Sequence, residues 1–168
     1  MSWSWWGAPG VLVIGLAWAL AVVALRAGPG RRLNRLLAWL LFLEGAYTGT
    51  NVGLILFVEA ESAAKIVSYI GLFTQVALPL QYLLFLGEAL RTPLTRPFRG
   101  RRANVLMALA TILLPVFAFR RPALFQTAVA PSELGHWNYG YQGFGEWVVQ
   151  LYGLTAMFGL LAAIHAFR

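Results

Sequence analysis

Apolar runs of roughly membrane-spanning length recur along almost the whole chain. Five can be marked: Gly10 to Leu25, Leu33 to Val58, Ile66 to Leu90, Val105 to Phe119 and Phe144 to Phe167. A spanning helix needs about 20 consecutive, mainly apolar residues. The first and fourth runs reach that length only with their flanks. None alternates over about ten residues in the way a barrel strand does. Backbone groups in hydrocarbon must bond within the protein, and with strands set aside helices remain. The expected architecture is all-α: one polytopic transmembrane bundle of about five helices over residues 1–168. Composition agrees, with 60% hydrophobic and only 11% charged residues against about 25% charged in an ordinary soluble domain.

The net charge of +7 comes from 13 basic residues against six acidic ones. In a water-soluble chain such a surplus points toward nucleic acid. Here the bases sit between apolar runs, so nucleic acid is not an expected partner and the positive-inside rule applies instead. Arg26, Arg31, Arg32 and Arg35 surround the first connection, and Arg91, Arg96, Arg99, Arg101 and Arg102 the third. Lys65, Arg120 and Arg121 belong to the opposite side. With Arg168, ten of the 13 bases share one side. The N-terminus is then outside and the C-terminus inside. The opening MSWSWWGAPG lacks the basic n-region of a signal peptide and reads as an interfacial aromatic anchor. Trp3, Trp5, Trp6, Trp137 and Trp147 fall at the outer interface, where tryptophan is enriched.

The second run, LNRLLAWLLFLEGAYTGTNVGLILFV, carries a carboxyl near its middle with no cation beside it. Glu44, Tyr47, Thr48 and Asn51 are spaced i, i+3, i+4, i+7 and share one helix face. Gly45, Gly49 and Gly53 form an adjacent stripe of small residues, which lets a second backbone approach closely. The third run answers with Ser68, Gln75 and Tyr82 in one row and Thr74, Gln81 and Glu88 in another. Pro79 lies between them and is expected to kink that helix. The two polar faces are expected to meet. Glu44 would then be a neutral carboxyl hydrogen-bonded in a polar seam by Tyr, Thr, Gln or Asn. Its role is an interhelical hydrogen bond, part of a ligand or sensing cavity, or proton handling, since ionisable groups inside membranes default to function. The cavity set is Glu44, Tyr47, Thr48, Asn51, Gln75, Gln81 and Tyr82. Glu88, three residues before Arg91, reads as an exposed snorkelling pair at the inner end.

Before the fifth run stands GHWNYGYQGFGEW, with His136, Trp137, Tyr139, Tyr141 and Trp147. Aromatic walls with a few polar groups suit a small-molecule pocket, and an interfacial belt explains the same composition. His165, near the inner end of the fifth run, is a single histidine of the kind that can ligate haem iron or a chlorophyll magnesium, but a solvated role fits it better. No cofactor or metal is otherwise expected. The chain has no cysteine, so disulfides, iron–sulfur clusters and thiolate metal sites are excluded. No phosphate-binding glycine loop, HExxH or nucleophile elbow is present, and the chain is expected to be non-enzymatic.

Three stretches carry a family likeness. They are GRRLNRLLAWLLFLEGAYTG, AAKIVSYIGLFTQVALPLQYLLFLGEAL and RRPALFQTAVAPSELGHWNYGYQGFGEWVVQLYG, together most of residues 30 to 153. Their layout of basic hinge, central proline and aromatic outer loop resembles the N-terminal seven-helix membrane sensor region found ahead of bacterial histidine kinases and diguanylate cyclases. Five of those seven helices have counterparts here. The resemblance implies a sensor or ligand-binding module in the bacterial cytoplasmic membrane that relays a signal to a cytoplasmic partner. An accessory subunit of a respiratory or photosynthetic complex is the alternative, and a small transporter or channel the third. A transporter usually shows inverted repeats, and none is visible. Expected partners are the lipid bilayer and either other membrane subunits or a second copy.

Overall fold

The computed structural model describes residues 7–56, 60–125, 129–131, 137–138, 140 and 142–167. Every apolar run is a helix: α1 (Ala8–Arg26), α2 (Arg32–Leu56), α3 (Glu61–Leu90), α4 (Arg101–Arg120) and α5 (Phe144–Ala166). Four of them begin before their apolar run does, because polar residues suit a first helical turn. Glu61 puts a negative charge at the N-terminus of α3, where the free N–H groups favour it, and pairs with Lys65 one turn on. Pro9 opens α1, where its missing N–H costs nothing. Between α4 and α5, β1 (Ala130–Pro131) and β2 (Trp137–Asn138) form one short antiparallel rung, with Ala130 opposite Asn138.

Packing partners give the directions of the helices. Gly10 lies beside Val52, Ile14 beside Gly49, and Trp18 on Gly45, so α1 and α2 are antiparallel. Gly53 lies beside Val67, Leu43 packs with Ala77 and Leu78, and Arg32 meets Glu88, so α2 and α3 are antiparallel too. Tyr69 meets the Phe119 ring edge-on at 5.2 Å. Ala118 joins Leu72, Val76 and Phe125 in a small core, with Val148 of α5 packed against it. Further along, Tyr82 sits on Gly159 of α5. The order is therefore up, down, up, down, up.

α3 is the hub. Two thirds (67%) of its apolar stretch is buried, against 11% in α1, 12% in α4 and 17% in α5. α2, α4 and α5 pack around it, while α1 packs on α2. The outer helices present Leu12, Leu16, Leu106, Leu113, Leu154 and Leu160 outward. An apolar surface that continuous suits hydrocarbon, not water. α1, α3, α4 and α5 are long and apolar enough to cross a membrane. α2 has the length, at 25 residues. Its mean hydropathy is lowered by Glu44, Asn51, three threonine and tyrosine hydroxyls and its glycines.

The arginine-rich connections converge at one end. Arg32 Nη2 donates to Asn104 Oδ1 at 2.8 Å, and Arg32 Nη1 lies 3.6 Å from Glu88. Arg91 donates to the same carboxylate at 2.9 Å. Glu88 is thus not the exposed i, i+3 pair expected from its spacing. Its side chain is 15% exposed, and it joins α2 to α3 and, through Arg32, to α4. A carboxylate at that depth needs more than one donor to offset its lost hydration.

Candidate functional site

Glu44 is the thirteenth of the 25 residues of α2. At 1.5 Å per residue it lies roughly 18 Å from either end of that helix. It lines a cleft of about 350 Å³ with Leu40 and Leu41 of α2, Leu78, Pro79 and Tyr82 of α3, and Tyr152, Thr155 and Ala156 of α5. α2 and α5 form the walls, and the proline-bearing stretch of α3 forms the floor. Tyr152 stands within electrostatic range of Glu44, Tyr47 and Tyr82. Most of the lining is hydrocarbon; the polar groups are one carboxyl, two phenols and one threonine.

The expected hydrogen-bonded seam between α2 and α3 is not what forms. Among the described residues Glu44 makes no hydrogen bond or ion pair. Thr50 and Asn51 both donate to the Tyr47 carbonyl, at 2.8 and 3.1 Å. Thr74 donates to Gly71 and Ile70 carbonyls, and Ser68 to the Lys65 carbonyl. A short hydroxyl or amide on a helix finds a carbonyl of its own preceding turn nearer than any group on a neighbour. Thr48 faces α1, with its methyl toward Gly10. Apart from the Arg32–Glu88 pair, α3 reaches α2 through Gln81 Nε2, which donates to the Leu36 carbonyl at 3.3 Å. Tyr47 packs against Leu43, Ala77 and Leu78.

Of the seven cavity residues read from sequence, Glu44 and Tyr82 line the cleft and Tyr47 stands beside it. Thr48, Asn51 and Gln81 are turned to other tasks. Gln75 is buried on the same side of α3 as Pro79 and Tyr82, by its spacing of four and seven residues. Its Oε1 has no hydrogen-bond partner among the described residues. Pro79 lacks an N–H, so the Gln75 backbone carbonyl, four residues back, also loses its ordinary helical donor. One buried residue therefore presents a side-chain acceptor without a partner beside a carbonyl that has lost its usual donor. That position asks for a water or a ligand to satisfy it.

The contribution of α5 was not read from the sequence. A signal was there: Tyr152, Thr155 and Gly159 are spaced i, i+3, i+7, and Thr155, Gly159 and Ala162 are, after Gly145 in the first turn, the small residues this helix buries. The glycine stripe of α2 also divides. Gly45 and Gly49 face α1, and Gly53 faces Val67 of α3.

Of the outer aromatic residues, the two that are described, Trp137 and Trp147, stand in different surroundings. Trp137 packs with Ala64, Val67 and Val129. Trp147 is 68% exposed and borders a shallow hollow with Ala123, Leu124 and Gln142. His136, Tyr139 and Tyr141 lie outside the described residues, as do Trp3, Trp5 and Trp6. His165 is exposed in the last turn of α5. No cluster of three or more metal-ligating side chains occurs among the described residues. In comparisons with protein-family models, with the curated proteins and with the solved structures, the chain matches none.

Proposed function

We propose that this chain is a non-enzymatic integral membrane module of a bacterial cytoplasmic membrane. In this reading it senses a small ligand in the Glu44 cleft and relays occupancy to a partner at its arginine-rich end. One observation carries the proposal. A carboxyl with no partner of its own stands at the midpoint of a helix, in a cleft walled by two helices and floored by a proline. A group so costly to bury persists where it has a task. The likeness of residues 30 to 153 to seven-helix sensor regions supports the same class. Relay follows from the architecture. α5 and α2 touch the ligand, and the far end of α2 is tied through Arg32 to Glu88 and Asn104. A change in the spread of α2 from α5 therefore loads that junction.

The absence of native cysteine makes two tests clean. Orientation is tested by Leu94→Cys in the arginine-rich connection and Ala123→Cys at the other end, both exposed. An impermeant maleimide added to intact cells is expected to label Ala123→Cys only. Labelling of Leu94→Cys instead reverses the topology.

The cleft is tested by Ala156→Cys, which lines it, against Leu154→Cys, which is 62% exposed on the outside of the same helix. The thiolate is the nucleophile that attacks a thiol reagent, and it needs a polar surrounding. Methanethiosulfonate is expected to modify Ala156→Cys at least about tenfold faster than Leu154→Cys, as lower thiolate content slows the reaction in proportion. Equal rates overturn the cleft as a polar ligand site.

A further inference from the structure

We propose that the ligand of the Glu44 cleft is a small lipophilic primary ammonium ion, an alkyl- or arylalkylamine carrying its proton. This rests on the cleft reading above and adds the chemistry of what fills it.

Charge comes first. Among the described residues every ion pair lies toward a helix end: Arg32 and Arg91 with Glu88, and Lys65 with Glu61. Glu44 alone is a carboxyl inside the bundle with no cation from the protein. For Glu44 in its ionised form, the complementary charge comes from the ligand, whose ammonium favours that form. An anion or a second carboxylate is repelled there, and a neutral hydrocarbon leaves the carboxyl unpaired at a cost.

Hydrogen-bond polarity gives the second argument. One turn from the cleft floor, an acceptor stands without a donor. Gln75 Oε1 is buried without a partner, and Pro79 frees the Gln75 carbonyl one turn from the cleft floor. Glu44, when ionised, only accepts. A primary ammonium brings three N–H donors and no acceptor, directly or through one water bridging toward Gln75. A quaternary ammonium brings charge without donors and meets half of this demand.

The walls supply the third. Tyr82 and Tyr152 flank the carboxyl, and phenol faces attract a desolvated cation. Leu40, Leu41, Leu78 and Ala156 give the rest of the lining to hydrocarbon. A volume of about 350 Å³ is near the lower end for ligand pockets, at ~300–1,000 Å³. The body attached to the ammonium is therefore small: one ring or a short chain.

The experiment uses the full chain with Ala156→Cys in nanodiscs and reads protection from methanethiosulfonate. The probes are 4-phenylbutylammonium and pentylbenzene, its uncharged isostere with a methyl in place of the ammonium. 4-Phenylbutylammonium is expected to protect at a concentration about tenfold or more below that of pentylbenzene, the margin of one charge-assisted hydrogen bond. Adding Glu44→Gln is expected to remove that margin. Equal protection by both probes, or protection by neither while the cysteine still reacts, overturns the ammonium assignment and leaves the cleft standing. A cysteine that does not react without any probe defeats the cleft itself. The comparison of the two probes on the Glu44 chain needs no substitution at Glu44, so misfolding of Glu44→Gln does not rescue the proposal.

Discussion

Gly45→Leu is expected to lower the melting temperature by about 10 °C and to release α1 from the bundle. Trp18 lies directly on Gly45, and even a β-carbon there would occupy the space of the indole Nε1; Cδ1 stands 2.6 Å from that position. The same indole donates to the Phe42 carbonyl at 3.3 Å and stacks on the Phe42 ring with centroids 6.0 Å apart. All three contacts are lost together when the ring is displaced. Among the described residues α1 packs chiefly on α2. In hydrocarbon no hydrophobic force holds two helices together, so close packing and hydrogen bonds carry the association. Overpacking costs about 3 kcal/mol at its usual upper end. Each kcal/mol shifts melting by about 2–4 °C in a chain of this size. Gly15→Leu is the control, since nothing lies within 4 Å of its added β-carbon. A circular-dichroism melt in nanodiscs decides between them. Disulfide formation between Ile14→Cys and Gly49→Cys, neighbours across the same interface, reports whether α1 stays docked. A Gly45→Leu chain that melts with its parent and still forms that disulfide means Trp18 does not sit on α2.

The second large effect is at Gly145, in the first turn of α5. Here the obstacle is backbone. An added β-carbon would fall within the Phe125 carbonyl group, whose oxygen also accepts a hydrogen bond from the Gln142 N–H at 3.0 Å. The Gly145 N–H in turn donates to the Gln142 carbonyl at 2.9 Å. A flexible side chain could move aside; this main chain carries a ring with it. Phe125 is 3% exposed and fills the core with Leu72, Val76 and Ala118. Gly145→Ala is therefore expected to cost about 3 kcal/mol, as small-to-large changes do where the surroundings cannot yield. Gly153→Ala on the same helix has open space around its new methyl. It should be neutral or stabilise by up to about 1 kcal/mol, from helix propensity alone. Two identical substitutions in one helix thus have opposite expected signs, read in parallel melts. Similar melting for both would show that the chain before α5 does not approach Gly145.

Much of this molecule is legible in its sequence because long apolar helices are specified locally. A run of apolar residues with no alternation has one way to satisfy its backbone in hydrocarbon, and each of the five runs is a helix in the structure. Spacing by three and four placed Glu44 and Tyr47 on a common face, and the two do come together around Tyr152. The clustering of arginines around the first and third connections was visible as composition. Their meeting at one end, through Arg32, Glu88 and Asn104, follows once the helices alternate in direction.

Periodicity names a face and leaves its neighbour open. The stripe Gly45, Gly49, Gly53 is continuous along α2, yet two of its members meet α1 and the third meets α3. Crossing angles and connection geometry decide that, and neither has a local signature. Hydrogen bonding followed the same logic in reverse. Asn51, Ser68 and Thr74 looked like groups for another helix, and they bond carbonyls of their own, because those acceptors are within reach before any tertiary contact forms. Glu44 makes no such bond among the described residues and faces the cleft instead. By itself, then, the sequence determined five helices, their polar and small faces, and a carboxyl stranded at mid-helix. Only the tertiary structure decided that α5 brings Tyr152 and Thr155 to that carboxyl and that the Gln75 Oε1 is buried without a partner near the proline. The reason is that a face is fixed by spacing within one helix, whereas a cleft exists only between helices that have already packed.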